Sequence, residues 1–265
     1  MMAVVSPKPL KPSTDNVIEL VKINGTLVKK PEVRYNKDGS IDKRQPHKVA
    51  GKSSEVYPFA TEEDIRAMIN VFNQRIDEAP TDTKRWVACR NKMLFLIGIN
   101  LGIRISDLIS LRWNFFLKDD MTFKDYYKIQ PKKTRKSGKF VTLYFNEAVQ
   151  KEIADYVEQY PIEDLDGWVF KSREGDGAIT EKSVWRIIVD TAKKAGIEYN
   201  VGTHSLRKTF GYWVYHRAED KSNALIILQS IFSHSSPAMT SKYIGLTNEE
   251  IGETFNNLNL GIDLF

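Results

Sequence analysis

Residues 83–102 read Thr83-Lys84-Arg85-Trp86-Val87-Ala88-Cys89-Arg90-Asn91-Lys92-Met93-Leu94-Phe95-Leu96-Ile97-Gly98-Ile99-Asn100-Leu101-Gly102. The large apolar side chains Trp86, Met93, Leu94, Leu96 and Ile97 predict a helix over 83–101 that is more buried than an ordinary amphipathic one. Gly102 ends it, since glycine readily adopts the left-handed backbone that closes a helix. Directly beyond the stop, Arg104 and Asp107 stand one helical turn apart, and a short helix is expected over 106–111.

Working outward, the pattern stays mostly helical. Thr61-Glu62-Glu63-Asp64 resembles a capping box, with Ile65, Met68, Ile69 and Phe72 following at helical spacing. Helices are expected at 147–159, 181–194, 204–216 and 223–232. Ser236-Pro237 supplies an N-cap and a first-turn proline for one more, running past Tyr243. Thr247-Asn248-Glu249-Glu250 caps the last. Residues 126–130 and 140–145 are aromatic and β-branched runs on either side of a Lys-rich, Gly-containing turn, which predicts a projecting β-hairpin. The chain therefore reads as mainly α with a small antiparallel β-hairpin, an α+β fold.

The leading residues are different in kind. Rich in Lys, Pro, Gly and Asn, they have little helical periodicity. Their best signal is a second hairpin, residues 17–23 and 26–28 around Asn24-Gly25, a dipeptide that tolerates the positive φ angles of a two-residue turn. Residues 36–54 read as a polar connector, which puts a domain boundary near Tyr57. Residues 1–56 are thus expected to form a basic extension or arm, 57–250 the main domain, and 251–265 a tail.

Charge follows the same division. The 265 residues carry a net +5, yet residues 1–55 hold 11 Lys/Arg against 6 Asp/Glu, and the remainder holds 28 of each. The surplus in the leading segment suggests an anionic partner, with a plain solvated tail as the alternative. No apolar run approaches the roughly 20 residues a bilayer demands, and a secretory leader is not evident. With one cysteine, Cys89, and four histidines, neither an internal disulfide nor a cysteine- or histidine-rich metal site is expected. An intracellular, reducing setting fits best.

Among the apolar patterns the polar interruptions are Arg104, Asp107, Lys133, His204, Arg207, His234 and Tyr243. Singly, each has an ordinary structural explanation as a cap, a half-buried group or a packed ring. Together they match what metal-free chemistry at a phosphodiester requires. In-line attack builds negative charge on the non-bridging oxygens, which planar guanidinium forks match in a bidentate way that an ammonium does not. A tyrosine hydroxyl, with an ordinary pKa of about 10, attacks only with a base or a positive field to help remove its proton. His204 and His234 are candidates for that help. Lys133, on a hairpin loop, suits the general acid that protonates the leaving alkoxide. Asp107 is placed to orient a neighbouring arginine or histidine.

Three stretches resemble the tyrosine recombinase, or phage integrase, family. Gly102-Ile103-Arg104-Ile105-Ser106-Asp107-Leu108 is similar to its first arginine motif, and Thr203-His204-Ser205-Leu206-Arg207-Lys208-Thr209 to its histidine-x-x-arginine motif. Ile231-Phe232-Ser233-His234-Ser235-Ser236, followed by Thr240-Ser241-Lys242-Tyr243, is similar to the segment that ends in the nucleophile. The match spans roughly residues 57–250 and implies the tyrosine recombinase catalytic-domain fold.

The resemblance implies that Arg104 and Arg207 clamp the scissile phosphate. His204 would bond it or assist proton transfer, and His234 would fill the family's histidine-or-tryptophan position. Tyr243 would attack phosphorus to give a 3′-phosphotyrosyl intermediate and a free 5′-hydroxyl, without metal or ATP. Lys133 matches the hairpin lysine that protonates the 5′-oxygen, although residues 128–139 hold six basic residues and no acid, so Lys132 or Lys136 is an alternative. Phosphate contacts are expected from Lys132, Arg135, Lys136, Lys139 and Lys208.

The implied function is site-specific recombination or integration by a phage or mobile element, on double-stranded DNA bearing a specific site. A homotetramer on DNA, an accessory directionality factor and a cytoplasmic, nucleoid-associated location are implied with it. Only about 56 residues precede Tyr57, too few for the family's usual helical clamp domain. The alternatives are a recombinase-like DNA-binding repressor or accessory factor without cleavage, and a type IB topoisomerase. The acidic, apolar tail 251–265 either docks on a neighbouring protomer or folds back on its own domain.

Overall fold

The structure, a computed structural model, describes residues 55–133, 138 and 140–246, together with the backbone of two strands, β1 (Leu20–Ile23) and β2 (Thr26–Lys29). The chain divides into two units, Met1–Ser54 and Glu55–Phe265. In the first, β1 and β2 pair antiparallel, with Ile23 opposite Thr26. The two residues between the strands, Asn24-Gly25, lie outside the described residues.

The second unit is built from α1 (Glu62–Asp77), α2 (Asp82–Leu101), α3 (Ile105–Leu108), β3 (Tyr126–Ile129), β4 (Val141–Tyr144), α4 (Glu147–Gln159), α5 (Glu181–Lys194), α6 (Thr203–Arg217), α7 (Lys221–Phe232) and α8 (Pro237–Ile244). Most helix starts are fixed by a side chain that satisfies an otherwise orphaned amide. Thr61, Thr81, Asn146, Thr180, Asp220 and Ser236 all cap in this way. β3 and β4 pair antiparallel from Tyr126 opposite Tyr144 to Ile129 opposite Val141. Their buried residues Ile129 and Leu143 face the main core. The expected helix over 106–111 is shorter than its sequence suggested and starts one residue earlier. The helix expected after Thr247 lies outside the described residues. No helix among the described residues is long and apolar enough to cross a membrane.

Two apolar clusters form the interior. The larger joins α1, α2, α4 and α5 through Phe72, Phe95, Met93, Ile153 and Ile188. The smaller joins the ends of α6, α7 and α8 through Tyr215, Leu228, Phe232 and Ile244. Helix α6 belongs to both. Leu206, near its start, packs against Gly98 of α2, where an added Cβ would lie 2.8 Å from a Leu206 methyl. Further along, Gly211 lets α8 approach so closely that a Cβ would lie 2.5 Å from Cγ2 of Ile244. The residues expected to carry chemistry stand where these two halves of α6 meet.

Candidate active site

Each functional side chain is placed by a helix end or by α6. Gly102 closes α2 with φ 61°, and a Cβ there would overlap the Phe210 ring, so the chain turns sharply at a position only glycine fits. The turn delivers Arg104 to the head of α3. On α6, His204 and Arg207 are three residues apart and so share a face. Helix α7 ends with Ser233 in the left-handed region, φ 53°. The His234 amide donates to the Gln229 carbonyl at 3.0 Å and the Ser233 amide to Ser230 at 3.1 Å. This closure directs His234 back toward α8.

The closure also leaves the carbonyl of Phe232 available, and the arginines take it. Arg207 donates from Nη2 to that oxygen at 2.9 Å and from Nη1 to the Gly102 carbonyl at 2.7 Å. Arg104 reaches the Phe232 carbonyl from its own Nη2 at 3.4 Å. The Arg207 guanidinium lies 4.2 Å from the centroid of the Phe232 ring. Arg207 is buried, and burial pulls its pKa down to about 10. It is still a cation at neutral pH.

Tyr243, in the last turn of α8, is surrounded by rings: His234 at 5.2 Å, Phe232 at 5.5 Å and His204 at 6.4 Å between centroids. Its hydroxyl lies 3.2 Å from Nδ1 of His204. Burial pushes the phenol above its ordinary pKa, while Arg207 and Arg104 pull it back. Burial, followed by the charges of Arg207, Lys208 and Arg104, lowers His204 below the usual imidazole range. His234 is lowered to about 4 by burial and by Arg207, Arg104 and Lys133. Both rings are therefore neutral at pH 7, able to accept or to donate a hydrogen bond. Nδ1 of His234 is held 3.1 Å from the Thr240 hydroxyl.

The structure thus brings together Arg104, His204, Arg207, His234 and Tyr243, with the charge of Lys133 felt at His234. Asp107 is buried, but its partner differs from the arginine or histidine expected. Its carboxylate accepts the backbone N–H of Lys132 at 2.9 Å, anchoring the start of the β3–β4 connection, and its charge acts on Arg207. Lys132 and Lys133 are exposed. Arg135, Lys136 and Lys139 lie outside the described residues.

Lys208 departs from the expectation of a surface phosphate contact. It is buried and paired with Glu55 at 3.4 Å, with its ammonium over the Tyr243 ring of α8. Thr240, read in the sequence only as part of the stretch leading to Tyr243, is a further partner of His234, with no role assigned to it there. The Phe232 carbonyl has no sequence signal at all.

Chemically, two guanidiniums and two neutral imidazoles converge on one phenol. Such a set of groups can bind a tetrahedral oxyanion and take a proton from an oxygen nucleophile beside it.

A sequence profile described as the phage integrase family matches residues 59–250. The chain is similar to the probable integrase/recombinase YoeC of Bacillus subtilis (strain 168), 34% identical over 171 residues, which are 63% of this chain and 86% of that protein. It is 26% identical over 201 residues to the tyrosine recombinase XerA of Pyrococcus furiosus, covering 76% of this chain and 61% of that one. The chain therefore spans less than two thirds of XerA. Its fold is shared with the crystal structure of XerA recombinase, with a TM-score of 0.54 at 20% identity over 77% of this chain and 65% of that chain. The post-cleavage complex of XerH site-specific recombinase with a palindromic difH substrate gives 0.53 at 20% identity, over 77% and 54% of the two chains.

Proposed function

The chain belongs to the phage integrase family, and on that footing we propose that it is a site-specific recombinase or integrase of a phage or mobile element. It cuts and rejoins double-stranded DNA through Tyr243. One observation carries the reading: the Tyr243 hydroxyl sits 3.2 Å from Nδ1 of His204, beside two buried or half-buried arginines.

Arg104 and Arg207 hold the non-bridging oxygens of the scissile phosphate and stabilise the charge that grows on them in the transition state. Nδ1 of His204 accepts the phenolic proton as the Tyr243 oxygen bonds to phosphorus. The P–O5′ bond breaks, and Lys133 delivers a proton to the departing 5′-oxygen. His234, with Thr240 on Nδ1, presents Nε2 to the phosphate. The product is a 3′-phosphotyrosine that keeps the energy of the broken bond, so a 5′-hydroxyl from the same or a partner strand reverses the steps and rejoins DNA without ATP.

Around this centre, Lys132, Arg135, Lys136 and Lys139 contact backbone phosphates, a role supported by the six basic residues and absence of acids in residues 128–139. Residues 1–56 act as a basic arm on DNA. The working assembly is a homotetramer on a specific site, aided by a directionality factor in a cytoplasmic, nucleoid-associated setting, and the tail 251–265 docks between protomers.

The test starts with duplexes enriched by the protein from a randomised library and nicked near the enriched sequence. Incubation forms a covalent adduct that survives denaturing electrophoresis and is absent in Tyr243→Phe. An adduct that persists in that variant rules out the mechanism. Specific binding with no adduct on any enriched duplex identifies instead a repressor-like binder.

A further inference from the structure

Lys208 follows Arg207 directly on α6, and its side chain is only 8% exposed. Burying an ammonium is unfavourable by several kcal/mol unless an acid and good geometry offset the loss of water. The acid is Glu55, 3.4 Å away and itself 55% exposed, so the pair is buried at the lysine end and wet at the other. Glu55 is held in turn by its main chain, whose carbonyl accepts Nδ2 of Asn200 at 2.6 Å, while the Tyr57 amide donates to the Asn200 carbonyl at 2.9 Å.

This arrangement sets the ammonium of Lys208 5.5 Å from the centroid of the Tyr243 ring. That is inside the range at which a cation is attracted to an aromatic face. The contact matters because α8 is only eight residues long and its last residues border open space. Lys208, Lys242, Ile244 and Gly245 line a cavity of about 460 Å³ whose other walls include Tyr57 and Tyr212. Lys208 both lines this cavity and places a cation over the face of the Tyr243 ring.

We propose that Lys208, paired with Glu55, is a positioning residue for the nucleophile: it holds the Tyr243 ring toward the phosphate site and does not touch DNA. The inference rests on the reading of Tyr243 as nucleophile. The groups that face His204 at the same centre are Arg207, Lys208, Arg104, Glu181 and Tyr243, so removing the lysine charge is also felt at His204.

The experiment compares full-length Lys208→Met, which keeps the stem and drops the charge, with Lys208→Arg, which keeps both. The probe is the enriched nicked duplex, with protein in excess so that a single turnover is followed. Lys208→Met binds with unchanged affinity and salt slope and forms the adduct about tenfold more slowly. Lys208→Arg restores most of the rate. In parallel, NMR titration of the four histidines shows the His204 midpoint at higher pH in Lys208→Met than in wild type. Full-rate adduct formation by Lys208→Met overturns the proposal. So does weaker binding with a shallower salt slope, which makes the lysine a phosphate contact, and so does equal loss in both variants. Should wild type form no adduct, the nucleophile reading fails, and an unmoved His204 midpoint then overturns the lysine's role independently of it.

Discussion

The hydroxyl of Tyr243 and Nδ1 of His204 lie 3.2 Å apart, although the residues are 39 positions apart in the chain. A phenol with a raised pKa is paired with an imidazole whose pKa is lowered. The imidazole is thereby in its neutral form over most of the working pH range.

Adduct formation is expected to rise with pH on an acidic limb below the usual imidazole midpoint of about 6.5 and to be flat from there to pH 8. His204→Ala lowers the single-turnover rate by about 10²- to 10⁴-fold and abolishes that limb. Rate profiles on the nicked duplex measure both, and an identical limb in the variant removes His204 from the proton transfer.

His234 gives a pH effect on stability. Its folded pKa of about 4 lies below the ordinary 6.5. Between those values the unfolded chain binds a proton that the folded chain refuses, so stability is full above about pH 6.5 and falls as pH drops toward 4. Thermal melts across that window decline less steeply in His234→Gln, with His204 contributing the remaining slope in the same direction. Superimposable curves for variant and wild type reject the assignment.

Gly211→Ala tests the close passage of α6 against α8. The new methyl meets Ile244 at 2.5 Å and Phe232 at 3.0 Å. Overpacking of this kind destabilises by about 1–3 kcal/mol and displaces the neighbouring helix. Denaturant melts are expected to show that loss, and adduct formation at a temperature where the variant is folded drops further than DNA binding does.

The leaving-group role proposed for Lys133 is separable by chemistry. Lys133→Ala slows cleavage of an ordinary phosphodiester by about 10²- to 10⁴-fold. It leaves cleavage near wild-type rate when sulfur replaces the 5′-bridging oxygen, because a thiol ionises near pH 8.5 and a thiolate departs without a proton. If Lys132→Ala or Lys136→Ala gives this signature instead, the proton comes from that residue.

Local structure was largely legible in the sequence because its signals are local. Thr61, Ser236 with Pro237, and Gly102 mark helix ends by chemistry that acts within one turn, and each does so in the structure. The site's side-chain types were legible too, since phosphodiester chemistry demands an unusual mixture. What they touch was not. Asp107 meets a backbone amide 25 residues away, Arg207 a carbonyl 105 away, and Lys208 a carboxylate 153 away. No periodicity reports such pairings. Lysine is charged and usually solvated, so only packing reveals that Lys208 is buried.

The acceptors that hold Arg207, the carbonyls of Gly102 and Phe232, belong to the main chain and so have no codon of their own. A carboxylate in their place would be one base change from loss. The clamp can therefore survive sequence drift in most of the surrounding side chains. Its exposure to mutation is concentrated where the path of the backbone is set: at Gly102, which admits no side chain, and at Ser233, held at φ 53°. A screen for inactive variants that keep every polar residue of the site should return these two positions.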